Sequence, residues 1–135
     1  MNILFTNVGR RTYFIDFILQ IKNEYKDLDI FLSDCDNTSS AFNKNKLTKN
    51  ILTPKVINNE DNYLSFLKKI ILEHEIKLII PLSDLDLELL SKNNSELLEI
   101  GCTSVISSTN LIIDCFNKIK FNEFCKINSL NTPKI

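Results

Sequence analysis

Residues 2–11, NILFTNVGRR, indicate the fold class, because a short apolar run is followed at once by a glycine and two arginines. The run Ile3-Leu4-Phe5 contains no alternating polar residues and stops at a turn, which is typical of a strand buried on both faces. From Thr12 onward the apolar residues keep helical spacing instead. The segment therefore predicts a strand, a glycine turn and an amphipathic helix.

The same alternation of strand and helix continues along the rest of the chain. Four more apolar runs predict strands: Ile30-Phe31-Leu32, Ile51-Leu52, Leu78-Ile79-Ile80-Pro81 and residues 103–106. Strands that alternate with helices indicate an α/β fold, here a Rossmann-like open parallel sheet of about five strands with helices on both faces. No internal repeat or linker divides the sequence, so residues 1–135 are expected to form a single domain.

Several polar residues predict where the helices begin and end. Asn59 is expected to be an N-cap, and Ser83 and Asp86 have the three-residue spacing of a capping box. Gly101 is expected to terminate the leucine-rich helix that starts there. Ser107, Ser108 or Thr109 is expected to cap the next helix. Residues 37–50, which include the lysine-rich stretch from residue 44 to 49, are expected to form a solvated loop.

Composition excludes several classes of partner and location. The 135 residues have a net charge of -1, with cations and acids interleaved, so neither nucleic acid nor an anionic membrane is an expected partner. The N-terminus lacks the features of a signal peptide, and no apolar run is long enough to span a bilayer. The four cysteines form no C-x-x-C pair, which argues against a zinc or redox motif and favours a reducing compartment, the cytoplasm.

Candidate binding residues follow the predicted strands, since ligands of open α/β sheets bind beyond the carboxyl ends of the strands. The first predicted strand is followed by Gly9, Arg10 and Arg11. The second is followed by Asp34, and the fourth by Ser83, Asp84 and Asp86. A glycine turn at a helix N-terminus with two arginines suits a carboxylate or phosphate. The alternative is that both arginines pair with Asp34 or Asp84 as a structural network.

Other chemistries lack their residues. The sequence has only two glycines, Gly9 and Gly101, which are far apart, so it contains neither G-x-G-x-x-G nor a G-x-x-x-x-G-K-[ST] phosphate loop. Its acids are not spaced as a metal cluster. Asp34 follows Gly9 by 25 residues, near the offset of the ribose-binding acid of nucleotide-binding Rossmann folds. His74 is expected to be a solvated surface residue. The residues alone predict a ligand-binding α/β domain without a complete catalytic set.

The ordered motifs resemble the N-terminal, pre-ATP-grasp domain of ATP-grasp ligases, and most closely that of carbamoyl-phosphate-synthase-like proteins. The resemblance covers nearly the whole chain and rests on the order and spacing of its motifs. These are residues 7–11 (NVGRR), residues 32–34 (LSD), Ala41, residues 52–54 (LTP), residues 79–89 (IIPLSDLDLEL), Asn117-Lys118 with Phe124, and residues 131–134 (NTPK).

The resemblance implies a ligase that joins a carboxylate to an amine or a similar nucleophile through an acyl-phosphate, using ATP and Mg²⁺. It implies that residues 9–11, with the acids after the later strands, line the substrate side of the cleft. Lys118 matches a lysine that reaches the nucleotide, although Asn117 stands where the family usually has Asp. Residues 117–135 would form the junction to a following ATP-grasp domain. Without that domain, the chain is expected to bind no cofactor tightly and to be inactive.

Two other functions stay open at this point. One is a stand-alone nucleotide- or NAD-binding Rossmann domain, against which the single glycine after the first strand counts. The other is a non-enzymatic regulatory or interaction domain that docks through an exposed apolar patch. Small-molecule substrates are the expected ligands, and a homodimer is compatible with the sequence.

Overall fold

The computed structural model describes residues 1–42 and 47–132 and contains, within them, one parallel sheet of five strands. The spatial order of the strands is β3-β2-β1-β4-β5, and every neighbouring pair is parallel. The strands are β1 (Asn2–Thr6), β2 (Asp29–Asp34), β3 (Lys49–Leu52), β4 (Ile76–Pro81) and β5 (Thr103–Ser104). The predicted α/β fold with a five-stranded parallel sheet is therefore confirmed.

The helices cover both faces of the sheet. They are α1 (Thr12–Glu24), α2 (Glu60–Glu73), α3 (Asp84–Lys92), α4 (Asn94–Glu99), α5 (Thr109–Phe116) and α6 (Lys118–Ile127). Helix α1 packs on one face, where its buried residues Ile15 and Ile18 join Ile3 and Phe5 of β1 in one apolar cluster. Helices α2, α3 and α4 pack on the other face.

The central strand β1 shows why the apolar runs contain no polar alternation. Ile3 and Phe5 point to the α1 face, whereas Leu4 points to the cluster that α2 and α3 cover. Helices cover both faces, so the three central residues of the strand, Ile3, Leu4 and Phe5, are all apolar. The second cluster includes Leu67 of α2 and Ile79 of β4, which are fully buried.

The element boundaries differ from the predictions in three places. The leucine-rich helix is interrupted at Asn93, whose side-chain amide donates to the Leu89 carbonyl, so α3 and α4 are separate helices. Lys49 and Asn50, predicted to lie in a loop, belong to β3 because they pair with Phe31 and Leu32 of β2. The fifth strand contains two residues instead of four.

The helix-boundary residues give mixed outcomes. Gly101 follows α4 with a φ of +80°, which confirms it as the terminating residue. Asn59 precedes α2, but its side-chain amide donates to the Lys55 carbonyl instead of capping the helix. Residues 43–46 of the predicted solvated loop and residues 133–135 lie outside the described ranges. In the described ranges, every helix is too short or too polar to cross a membrane.

Helix α2 allows a matched test of this packing, because it carries one fully buried and one exposed leucine. We expect Leu67→Ala to lower the free energy of unfolding by about 2–5 kcal/mol, through lost burial and a residual cavity. Leu72→Ala makes the same chemical change on the solvent side of the helix, where 61% of the residue is exposed, and should change stability far less. Urea unfolding followed by circular dichroism measures both, and equal losses would contradict the assigned faces.

Candidate ligand-binding crevice

The strand order creates a crevice beyond the carboxyl ends of β1 and β4. These two strands are neighbours, yet the helix after β1 covers one face and the helix after β4 covers the other. The chains leaving them therefore separate in opposite directions, which is the topological switch point where open α/β sheets bind ligands. The Leu82 amide donates to the Thr6 carbonyl at 3.1 Å and keeps the two strand ends together.

The turn after β1 is held by the carboxylate of Asp34 at the end of β2. Its Oδ2 accepts a hydrogen bond from the Gly9 amide at 2.7 Å, and its Oδ1 accepts one from the Asp36 amide at 3.0 Å. Gly9 has a φ of +53°, a conformation that residues with a Cβ rarely adopt. Asp34 is almost fully buried. Its contacts therefore hold the turn, and both of its oxygens already have partners.

The segment after β2 closes over the turn from the other side. The Ser39 hydroxyl donates to the Gly9 carbonyl at 2.7 Å, and the Ala41 amide donates to the same oxygen at 3.3 Å. Hydrogen bonds from the Thr38 hydroxyl and amide lower the pKa of the Asp36 carboxyl, which is exposed at this edge. The backbone of Gly9 is thus fixed at both its amide and its carbonyl.

The two arginines project from this fixed turn at the start of α1. Arg11 is half-buried, and its Nη1 donates to the Asn7 carbonyl at 3.2 Å. Arg10 is exposed. Neither arginine forms an ion pair with an acid in the described ranges, so the alternative network with Asp34 or Asp84 is not formed there. The first turn of α1 contains no acid either.

Ser83 and Asp84 form the opposite wall of the crevice. Ser83 is the N-cap of α3, and its hydroxyl accepts from the Leu85 amide at 3.4 Å. Asp84 is exposed in the first turn of that helix, where the dipole favours a negative charge. A groove of about 540 Å³ runs from Asp84 between α3, α5 and the end of β5. Its lining is Asp84, Leu87, Val105, Ile106, Ser107, Leu111, Ile112, Cys115 and Phe116.

Asp86 lies apart from these residues, in the interior. Its side chain is fully buried, and its Oδ2 accepts a hydrogen bond from the Tyr63 hydroxyl at 2.9 Å. It does not complete the predicted capping box, because it points toward α2 instead of back to Ser83. Burial raises the pKa of the Asp86 carboxyl, and burial together with the Asp86 charge raises the pKa of Tyr63 well above its usual value.

Thr6 and Asn7, at the end of β1, lie beside the Tyr63–Asp86 pair and lower the pKa of both groups. Neither Thr6 Oγ1 nor Asn7 Nδ2 completes a hydrogen bond of good geometry with a described residue. The sequence analysis missed this cluster. One signal for it is that Asp86 precedes the buried Leu90 by four residues and so shares the inward face of α3.

Lys118 is exposed at the first position of α6. Asn117 is the N-cap of this helix, and its Oδ1 accepts from the Ile119 amide at 3.0 Å and from the Lys120 amide at 3.2 Å. Asn and Asp are equally good at this position. The departure from the usual Asp therefore leaves the helix start in front of Lys118 intact.

Comparison with protein families identifies the fold more closely. Residues 3–106 match the family described as the PylC-like N-terminal domain, and this match spans all five strands. The chain belongs to this family. It is a pre-ATP-grasp domain, as the resemblance predicted. A comparison with curated proteins finds no match to this PylC-like N-terminal domain.

Solved structures with the same fold include a ligase and a carboxylase domain. The crystal structure of L-amino acid ligase from Bacillus licheniformis aligns with 98% of the chain at a TM-score of 0.65 and 14% identity. The biotin carboxylase domain of a thermophilic 2-oxoglutarate carboxylase, bound to bicarbonate, aligns with 97% at a TM-score of 0.60 and 16% identity.

A third similar structure is an NAD complex of dTDP-glucose 4,6-dehydratase from Bacillus anthracis str. Ames. It aligns with 77% of the chain at a TM-score of 0.54 and 18% identity. At these identities the similarities concern the fold. The PylC-like domain spans 31%, 28% and 36% of the ligase, carboxylase and dehydratase chains, respectively.

The raised pKa of Asp86 predicts a pH dependence of stability. The Asp86 carboxyl of the folded state stays protonated at pH values where the same carboxyl of the unfolded state is ionised. Its contribution to the free energy of unfolding therefore falls as pH rises from about 4. The loss is about 1.4 kcal/mol for each unit that separates the two pKa values. Asp86→Asn should remove this part of the slope. Urea unfolding at a series of pH values measures it.

The matched control for this experiment is Asp84→Asn, which removes an exposed carboxylate from the same helical turn. We expect the control to keep the wild-type slope between pH 4 and the raised pKa of Asp86. The measured quantity is the slope, not the absolute stability, since Asn can pack differently from Asp. An Asp86→Asn protein whose slope equals that of the wild type would rule out the assignment.

Proposed function

We propose that this domain forms the substrate side of an ATP-dependent ligase that joins a carboxylate to an amine or a related nucleophile through an acyl-phosphate. The observation that carries the proposal is the juxtaposition, at one switch point of the sheet, of an exposed arginine after β1 and an exposed aspartate after β4. Family membership supports the general class of protein, a pre-ATP-grasp domain. The reaction and the closer resemblance to carbamoyl-phosphate-synthase-like proteins remain predictions.

In this proposal the wall of the crevice that carries Arg10 and Arg11, here called the arginine wall, binds the carboxylate. Arg10 is exposed at the N-terminus of α1, where the helix dipole adds positive potential and no first-turn acid reduces it. The Gly9 amide is bonded to Asp34, so it is not free for the ligand, and the guanidinium groups supply the contact. Gly9 and Asp34 then act by fixing the turn, and Arg11 by bracing it through Asn7.

The opposite wall binds the cationic or apolar part of the substrate. The Asp84 carboxylate suits an ammonium group, and the groove beside it offers mainly aliphatic and aromatic surface. Ser83 fixes the start of the helix that carries Asp84. We assign Asp86 a positioning role, because its hydrogen bond to Tyr63 ties α3 to α2 and its side chain has no exposed surface.

ATP and Mg²⁺ belong, in this proposal, to the whole enzyme. The described residues contain no group of three or more acidic, histidine or cysteine side chains that could hold a metal ion. We assign the Mg²⁺ ligands to a following ATP-grasp domain, as the family resemblance implies. Lys118 is the residue of this chain that we assign to the nucleotide phosphates, as a mobile point charge at the junction.

The surface of α5 and α6 supports such a junction. Both helices expose large apolar side chains. These side chains are Ile113, Phe116, Ile119, Phe121, Ile127 and, just after α6, Leu130. An apolar surface of this extent is typical of an interface. It fits a domain that follows α6, although a non-enzymatic docking role uses the same observation.

Isothermal titration of the chain with amino acids, dicarboxylates, NAD and Mg-ATP tests the arginine wall. We expect weak binding of a carboxylate, no binding of NAD, and no tight binding of Mg-ATP. Arg10→Ala should weaken carboxylate binding at least about tenfold, since a charge-assisted hydrogen bond is worth about 1.5–3 kcal/mol.

Lys26→Ala is the matched control for that titration, because it removes the same charge beyond the other end of α1, about 20 Å away. Equal effects of the two substitutions would mean that only net charge matters. Tight NAD binding without carboxylate binding would overturn the ligase hypothesis in favour of a dinucleotide-binding domain. Silence toward every carboxylate would show that this domain alone does not hold the substrate.

Alkylation of a cysteine can report ligand binding in the groove beside Asp84. Cys115 is exposed and lines the groove, whereas Cys35 is half-buried, directly follows β2 and lines a different cavity. A bound amine with an apolar chain, such as leucinamide, should slow alkylation of Cys115 by iodoacetamide and leave Cys35 unaffected. Burial raises the pKa of the Cys102 thiol to about 11, so this cysteine should stay unmodified.

Peptide mass spectrometry measures the alkylation rates at each cysteine. Asp84→Asn should abolish the protection, and Glu88→Gln, which neutralises an acid one turn further along α3, should preserve it. Protection that is the same at Cys35 and Cys115, or that survives Asp84→Asn unchanged, would contradict the groove as the site of the amine.

A further inference from the structure

Helix α1 carries an apolar ridge on its outer side that the ligase proposal does not use. Tyr13, Phe17, Ile21 and Tyr25 follow one another at intervals of four residues and are 65%, 59%, 48% and 64% exposed. Residues four apart lie in a row on a helix surface. The opposite side of α1 is buried in the core through Ile15, Ile18 and Leu19. The ridge is therefore a second apolar side of a helix whose core side is already packed.

The two halves of this ridge differ in shape. Beside its C-terminal half lies a hollow of about 370 Å³, whose lining is almost entirely apolar. The lining residues are Met1, Ile3, Ile21, Tyr25, Asp27 and Leu28. Tyr13 and Phe17, in the N-terminal half, are large side chains that do not line this hollow. One half of the surface thus offers protruding rings and the other half offers a cavity for them.

We infer that a second copy of this chain covers this surface, by antiparallel packing of α1 against α1 of the partner about a two-fold axis that passes between Phe17 and Ile21. In that register Tyr13 lies opposite Tyr25 of the partner, and Phe17 lies opposite Ile21 of the partner. The rings of Tyr13 and Phe17 on each copy then enter the hollow of the other copy, so the same contact is made at both ends of the interface. Self-complementarity of this kind is the requirement for a two-fold dimer interface, and an unrelated partner does not need it.

The size of the surface agrees with a dimer. With an aromatic side chain offering about 150–250 Å², the four ridge residues and Met1 expose roughly 500 Å² on each copy at the fractions found here. Two copies therefore bury about 1,000 Å², the lower limit of specific interfaces. A dimer of moderate affinity is expected.

The position of the ridge separates it from the proposed domain junction. Helix α1 packs on the sheet face opposite to α2, α3 and α4, whereas α5 packs against α3 and α6 packs against α5. A domain that docks on α5 and α6 leaves the outer side of α1 open. The dimer can therefore be tested independently of the ligase proposal.

Sedimentation equilibrium of the chain over a wide range of concentrations tests the dimer. Phe17→Glu should raise the dissociation constant about 30-fold or more, as expected for an aromatic residue at the centre of an interface. Ile127→Glu is the matched control, because it places the same charge on an apolar residue of α6 that is 82% exposed. A chain that is monomeric at all concentrations, or that dissociates with Ile127→Glu but not with Phe17→Glu, overturns the inference.

A charge swap tests the register. Tyr13→Glu and Tyr25→Lys should each weaken the dimer, and an equimolar mixture should form a heterodimer, since Glu at 13 faces Lys at 25 of the partner. Mixing Tyr13→Glu with Phe17→Lys places no opposite charges together and should give no rescue. Native mass spectrometry counts the heterodimers. Equal amounts in both mixtures would overturn the antiparallel register, and circular dichroism checks that each variant is folded.

Discussion

The hydrogen bond between the Gly9 amide and the Asp34 carboxylate fixes the end of the sheet on which the crevice depends. An ionised acceptor makes a stronger bond than a neutral one, and this one holds the turn after β1 against the end of β2. The turn needs a residue that tolerates φ of +53°. With the turn fixed, α1 begins directly after its N-cap residue Arg11. The acid of β2 thus supports the turn that presents the arginines.

The other wall depends on a buried polar contact of a different kind. The Tyr63 hydroxyl and the Asp86 carboxylate connect α2 with the first turn of α3, close to Thr6 and Asn7 of β1. Burying a carboxylate is unfavourable, and the raised pKa of Asp86 expresses that cost. A leucine at this position would remove the cost together with the directional bond. The start of α3 therefore lies beside groups from two other elements, α2 and β1.

The sequence predicts β1 and β2 well because both are parallel to their neighbours and largely buried, so Ile3-Leu4-Phe5 and Ile30-Phe31-Leu32 stand out as continuous apolar runs. The edge strand β3 is largely exposed, and its first two residues are polar, so the sequence does not predict its start. Nor does the sequence predict the order of the five strands, since the same alternation fits several windings of the sheet. Local spacing also misleads at Asp86, because the capping-box interval from Ser83 and the inward interval to Leu90 are both present, and tertiary packing decides between them. The hydrogen bond from Gly9 to Asp34 is not predictable, because a contact across 25 residues leaves no periodic trace.

The charges at the helix N-termini connect these observations with function. Helices α2, α3 and α4 each have acids in their first turn, as the dipole favours. Helices α1 and α6 break this rule, because Arg10 and Arg11 precede one and Lys118 begins the other. Each of these cations is less favourable in the isolated domain than an acid at the same place. An anion bound at each position removes that disadvantage, and these are the two positions proposed for a carboxylate and for a nucleotide phosphate. The exceptions to a local rule therefore coincide with the residues to which the proposed chemistry assigns ligands.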